Sequence, residues 1–311
     1  MDWTRRFFPL GFAVLFLLAV FPAAMAQTEP SLPDFSRQGA DTCLRCHNDD
    51  KTAAIFQTAH GVAGNPHAPF AQQQCESCHG PGGDHAGRLR PGQERPAPLA
   101  FATESLLSKR EQVDICLSCH QGQERGHWQG SVHERQEVGC TDCHSVHNPR
   151  DPVQVRAQQP EVCYQCHQTQ RAQSFQASSH PIRQGKMACS DCHQPHGSLT
   201  DAMLAATSLN NSCTECHAEK RGPFLWEHAP VAEDCSLCHQ PHGSNHPALL
   251  TRRAPLLCQE CHARAGHPSI AQTADGLPGG RPSAFLLGGS CTNCHSQVHG
   301  SNHPSGNNLS R

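Results

Sequence analysis

The run Cys189-Ser190-Asp191-Cys192-His193-Gln194-Pro195-His196 decides how this chain is read. On a turn of helix, positions i, i+3 and i+4 share one face. Cys189 and Cys192 can therefore present both thiols, and His193 its imidazole, to one flat group. Two thiols adding to the vinyl groups of a porphyrin, with the adjacent imidazole meeting its iron, is the chemistry of c-type haem attachment, and CxxCH is its signature. A single copy is weak evidence, because CxxC also binds zinc or performs dithiol redox chemistry.

Outward from that run, the pattern repeats without exception. The 311 residues include 20 cysteines, which fall into ten CxxC pairs, each followed at once by histidine. The pairs are Cys43/Cys46, Cys75/Cys78, Cys116/Cys119, Cys140/Cys143, Cys163/Cys166, Cys189/Cys192, Cys213/Cys216, Cys235/Cys238, Cys258/Cys261 and Cys291/Cys294. Their histidines are His47, His79, His120, His144, His167, His193, His217, His239, His262 and His295. No cysteine is left for a disulfide scaffold, and zinc ribbons do not require a histidine after every pair. Ten covalently attached haem c groups, each with its iron, are expected.

Composition points the same way. One Tyr and three Trp stand beside 25 Gly and 24 Pro. Such a chain has too few apolar side chains to offset its ordering entropy alone, so the macrocycles must supply the core. The expected fold is a multihaem cytochrome c: short α-helices and loops wrapped around an extended column of haems, with little or no β-sheet. Helices are expected before several motifs, from Pro160-Glu161 into Cys163, from Thr103 to Cys116, and from Pro255 into Cys258. Longer Gly/Pro-rich connections lie at 80–103 and 263–290.

Residues 1–26 read as a cleaved signal peptide, with basic Arg5-Arg6, an apolar run from Phe7 to Phe21 and the small-residue site Ala24-Met25-Ala26. The run is shorter than the ~20 residues of a spanning anchor. The Thr4-Arg5-Arg6-Phe7-Phe8 run hints at a twin-arginine signal, but a Leu- and Phe-rich leader suits general secretion. Residues 27–42 are expected to be a linker and 43–311 the cytochrome domain, in five two-haem units at 43–85, 116–147, 163–196, 213–242 and 258–299.

The second axial ligand separates electron transfer from catalysis. Histidine supplies it more readily than methionine, since 24 His stand against 4 Met. Within the units, His60, His133, His180 and His228 follow the first motifs, and His85, His147, His196 and His242 follow the second. His267 and His299 repeat the scheme more loosely. These ten are the expected distal ligands. Opposite faces of one haem put Cα atoms roughly 12–13 Å apart, whereas three extended residues span at most ~10.5 Å. His147, His196 and His242 must therefore serve neighbouring haems. His60, His133 and His180, farther from their motifs, are expected to fold across their own. His67, His127, His246 and His303 fall outside the repeat; His246 or His303 could replace a neighbour.

Ten bis-histidine haems leave no open iron. The expectation is an electron carrier and not an enzyme, with no catalytic residue, and a multihaem reductase is the rival. Removing Arg5, Arg6 and Asp2 from 24 basic and 27 acidic residues leaves a formal −4. Haem propionates add to that, which disfavours nucleic acid as a partner.

Beyond the motifs, five segments carry a family resemblance. They are Cys75–His85 (CESCHGPGGDH), Cys189–Asp201 (CSDCHQPHGSLTD), Cys216–Val231 (CHAEKRGPFLWEHAPV), Cys238–Ser244 (CHQPHGS) and Cys294–Gly306 (CHSQVHGSNHPSG). The sequence resembles the periplasmic decahaem cytochromes of the MtrA/DmsE/PioA type. That resemblance implies an outer-membrane electron conduit: a cytochrome inserted into a β-barrel porin, with an extracellular multihaem cytochrome outside. A periplasmic or inner-membrane cytochrome then exchanges electrons with it from within. The long N-terminal extension of some iron-oxidising relatives is not seen, which favours the outward, reducing direction. A soluble periplasmic shuttle or electron store is the alternative.

Overall fold

The computed structural model describes residues 34–101, 105–262 and 291–310. The leader, Thr103-Glu104, the 263–290 connection and His267 lie outside the described residues. Within them the chain is short helices joined by turns, the longest being Lys109–Leu117 at nine residues. The described residues contain no β-sheet, only isolated bridges such as Ser178 with Ser244 and Trp226 with Ser301.

Every CxxCH motif closes one helical turn. In all ten, the histidine N–H donates to the carbonyl of the first cysteine at 2.8–3.0 Å. That bond puts both thiols and the imidazole on a single face. Local signals set the helices that feed these turns. Pro160 opens Gln159–Cys163, where its missing N–H costs nothing, and Pro255 opens Ala254–Gln259. Ser208 caps Leu209–Thr214 by accepting from the Asn211 N–H. The helix expected from Thr103 begins instead at Lys109. Ser108 and Glu111 form a reciprocal capping box there, and a capped start outcompetes an uncapped one.

Very little of the described chain is a protein core. Ala40, Ile55 and Phe70 form one small cluster, flanked by Leu44, Cys75 and Val146. Beside it the buried Glu76 carboxylate accepts from Ser36 N–H (2.9 Å), Ser36 Oγ–H (2.6 Å) and Gly82 N–H (2.7 Å). Val113, Trp128, Tyr164 and Ala188 are buried at scattered points farther along. In place of a core, a continuous cavity of about 4960 Å³ extends past motif after motif, from Cys78 to Cys291. Drug-sized ligand pockets are ~300–1,000 Å³, so this volume suits a row of large groups.

Ties between repeats keep the cavity open. Lys109 pairs with Asp142 at 2.7 Å, and Arg156 with Asp191 at 2.6 Å. Each is partly exposed and adds at most about 1 kcal/mol, but each locks the approach to one motif onto the next. Ser178 and Ser244 exchange two backbone bonds of 2.8 Å, and Trp226 and Ser301 do likewise at 2.8 and 2.9 Å.

Candidate haem sites

The thiols form an alternating ladder. The first cysteines of neighbouring motifs touch in the pairs Cys43–Cys75, Cys116–Cys140, Cys163–Cys189, Cys213–Cys235 and Cys258–Cys291. The second cysteines approach across the intervening steps, as Cys78 does Cys119 and Cys192 does Cys216. Burial and the adjoining cysteine push Cys75 and Cys258 up to about 11 and Cys213 to about 12. Cys140, accepting from Cys116, is lowered to about 7.

Cys46 is exposed, and neither it nor Cys43 and His47 lines the large cavity that the interior motifs share. Exposure alone does not single it out, because the second cysteines Cys119, Cys143, Cys166, Cys216 and Cys261 are exposed as well. Cys294 of the tenth motif is likewise exposed and outside the cavity lining. The first motif still closes its turn, with the His47 N–H donating to the Cys43 carbonyl at 3.0 Å.

The histidine rings stand opposite one another in pairs. A metal–nitrogen bond of about 2 Å on each side, plus about an ångström from nitrogen to each ring centre, requires centroids about 6 Å apart. His47 faces His85 at 6.3 Å, His79 faces His147 at 6.3 Å and His120 faces His60 at 5.9 Å. His144 faces His196 at 6.1 Å, His167 faces His133 at 6.2 Å and His193 faces His242 at 6.0 Å. His217 faces His180 at 6.5 Å, His239 faces His299 at 6.1 Å and His262 faces His228 at 6.1 Å. The motif histidines from His47 to His262 thus each have a described partner ring. The spacing and the adjacent thiols fit an iron porphyrin at each of these positions, and the cavity gives room for those of the interior.

The pairing is crossed throughout the interior. His60, His133 and His180 do not fold across their own motifs, as the sequence suggested; they face the first motif of the following unit. Backbone anchoring explains this. His133 sits in the capped turn Val132–Arg135, and its Nδ1–H donates to the Pro195 carbonyl at 2.9 Å. His180 donates likewise to Pro241 at 2.8 Å, and His228 to Val298 at 2.9 Å. Those acceptors immediately precede His196, His242 and His299. Each bond therefore joins the ligand set of one position to that of its neighbour and leaves Nε2 free to point at a metal.

The motif histidines are oriented in the same way. His79 Nδ1–H donates to the Leu99 carbonyl (2.8 Å), His193 to Ala202 (2.8 Å), His239 to Ala248 (2.7 Å) and His295 to Asn308 (2.6 Å). His144 instead donates to the Asp151 carboxylate at 2.7 Å. Asp151 and these carbonyl-bearing loops were not legible from motif spacing; the Ala repeated six residues after two of the three CHxxH runs, at Ala202 and Ala248, is the one signal that marks the loops there. Burial lowers the pKa of His60, His120, His196, His242 and His299, which favours the neutral imidazole that binds metal. None of the spare histidines His67, His127, His246 and His303 enters these pairs. His303 Nδ1 accepts from the Ser305 hydroxyl at 2.9 Å and its N–H at 3.1 Å.

Known proteins show the same repeat. The doubled CXXCH motif family matches residues 67–125, 132–172, 180–222 and 228–267. Each match joins the second motif of one expected two-haem unit to the first motif of the next, and thiol contacts run in both frames. The chain is 48% identical over 281 residues to the multiheme cytochrome MtrA of Shewanella baltica (strain OS185), covering 89% of this chain and 83% of that protein. With the repeated motifs and the absence of sheet among the described residues, this places the chain in the MtrA/DmsE/PioA family of periplasmic multihaem c-type cytochromes, which transfer electrons through covalently attached haem.

Proposed function

We propose that the chain carries ten haems, all with two histidine ligands, and conducts electrons between the periplasm and the cell exterior as part of an outer-membrane barrel–cytochrome complex. The carrying observation is the set of opposed histidine rings at 5.9–6.5 Å that links motif to motif. When bound, the haems supply one-electron chemistry at iron. The chain's own part is to fix their order, close both axial positions and keep water off the irons. His267 is the distal candidate left for His295, as His85 is for His47 at the other end. With both axial positions taken, substrate has no site on iron, so the protein acts as a carrier and not as a reductase.

The barrel follows from the nature of the backbone. No helix among the described residues is long and apolar enough to cross a membrane. An irregular polar backbone cannot face lipid, yet ten contiguous macrocycles, each about 10 Å across, exceed the ~30 Å hydrocarbon layer. A porin sheath reconciles the two. An extracellular multihaem cytochrome would take electrons from the outer end, and a periplasmic or inner-membrane cytochrome would exchange them at the inner end.

Two measurements test this reading. Purification from detergent-solubilised outer membrane should recover the cytochrome with a barrel protein. Recovery only in the soluble periplasmic fraction would instead identify a shuttle. Electron paramagnetic resonance of the ferric protein should show low-spin iron throughout; a substantial high-spin fraction would overturn the closed coordination.

A further inference from the structure

The position between His144 and His196 departs from its counterparts, and we propose that Asp151 makes it the low-potential step of the electron path, acting through the His144 imidazole. This rests on the reading of His144 and His196 as axial ligands. At the equivalent motif histidines His79, His193, His239 and His295, Nδ1–H donates to a neutral backbone carbonyl. Here alone among these five the acceptor is a carboxylate, Asp151 Oδ2 at 2.7 Å.

The Asp151 side chain is only 10% exposed, so little solvent screens it. It is also held in place. Ser145 N–H donates to Oδ1 at 3.1 Å and Gln154 Nε2 to Oδ2 at 3.1 Å. A carboxylate accepting from Nδ1–H draws the imidazole towards imidazolate and makes Nε2 a stronger donor. A stronger donor, with a fixed negative charge behind it, favours ferric over ferrous iron and lowers the potential. Glu219 near His217 is a weaker case, since it stands 3.9 Å from Nδ1 and its side chain is 62% exposed.

Across the site no group is hydrogen-bonded to His196 as Asp151 is to His144. His196 Nδ1 is buried without a partner in the structure, and its ring stands 6.5 Å from buried Trp128. Arg125 and Glu124 both act on His196, with opposite sign. Asp151 is therefore a positioning residue that sets the electron balance at the fourth motif. One electron enters from one neighbour and leaves to the next with no bond made or broken, and this step is uphill for passage in either direction.

The test is potentiometric titration of the full-length holoprotein, followed in the Soret band. In Asp151→Asn, one one-electron component should move to higher potential while the others stay. Gln154 is exposed and competes for the same carboxylate oxygen, so Gln154→Ala should move that component lower. Opposite shifts are not what a loosened fold produces, and Gln154→Ala decides the matter alone if Asp151→Asn does not accumulate. Wild-type titration curves in every holoprotein obtained, with full haem content and low-spin iron, would overturn the role of Asp151 alone. High-spin iron in the wild-type protein that His196→Ala leaves unchanged would overturn the ligand assignment, and the inference with it.

Discussion

Glu76 shows how a cofactor-dominated fold still depends on single side chains. Burial raises its pKa, but the Ser36 hydroxyl and the Gly82 and Ser36 N–H groups outweigh that, and the carboxyl lies below its ordinary value of 4.5. A carboxyl depressed in the folded state stabilises while ionised. Its contribution is complete above 4.5 and is lost as pH falls through the folded value. Glu76→Gln should cost about 2 kcal/mol near neutral pH, because donors placed for a carboxylate then meet an amide. Thermal unfolding of the holoprotein below pH 4.5 should show the wild type converging on the variant. A gap between them that persists in acid would place the effect elsewhere.

The turns after the CHxxH runs trade backbone strain for aim. Ala248 has φ 56°, a left-handed conformation costly for any residue with a Cβ, and its carbonyl receives the His239 Nδ1–H. Ala202 does the same for His193 at φ 54°. Replacing Ala248 with glycine keeps the carbonyl in place and removes the strain, so Ala248→Gly should raise stability by about 1 kcal/mol, read from the thermal midpoint. Gly243 is the opposite case. It follows His242 with φ +148°, and a Cβ there would meet the Gln173 carbonyl oxygen at 1.9 Å. That oxygen belongs to the helix Gln168–Ser174 and cannot swing aside. Gly243→Ala should cost about 3 kcal/mol or more and loosen His242 from His193, measured as a lower thermal midpoint with new high-spin iron.

Crossed pairing makes the molecule a chain of mutual dependence. His242→Ala should open the iron held by Cys189 and Cys192 and spare the one held by Cys235 and Cys238, giving a high-spin signal from one iron in the set. Ring geometry divides the positions further. The His144–His196, His193–His242 and His239–His299 planes lie within 15° of parallel, whereas His60–His120 and His133–His167 cross at 78° and 68°. Parallel imidazoles split the iron dπ orbitals, and crossed ones leave them nearly degenerate. The ferric spectrum should therefore contain both rhombic and highly anisotropic low-spin signals. A single class would show that the rings rotate from these angles when iron binds.

Attachment was readable from the chain itself because the chemistry of CxxCH fits within five residues and one helical turn. Export and the shortage of a side-chain core were equally local or compositional, and Pro160 and Pro255 marked helix starts by the same kind of short-range physics. Partner choice among the histidines was not readable. The Nδ1 of His133 finds its acceptor 62 residues away at Pro195, and that of His228 finds one 70 residues away at Val298. Spacing said only which histidines could not reach across their own haem. Which neighbour each one faces, and that Asp151 stands where other repeats offer a carbonyl, was decided when the repeats packed, because long-range backbone bonds and not chain distance aim those rings.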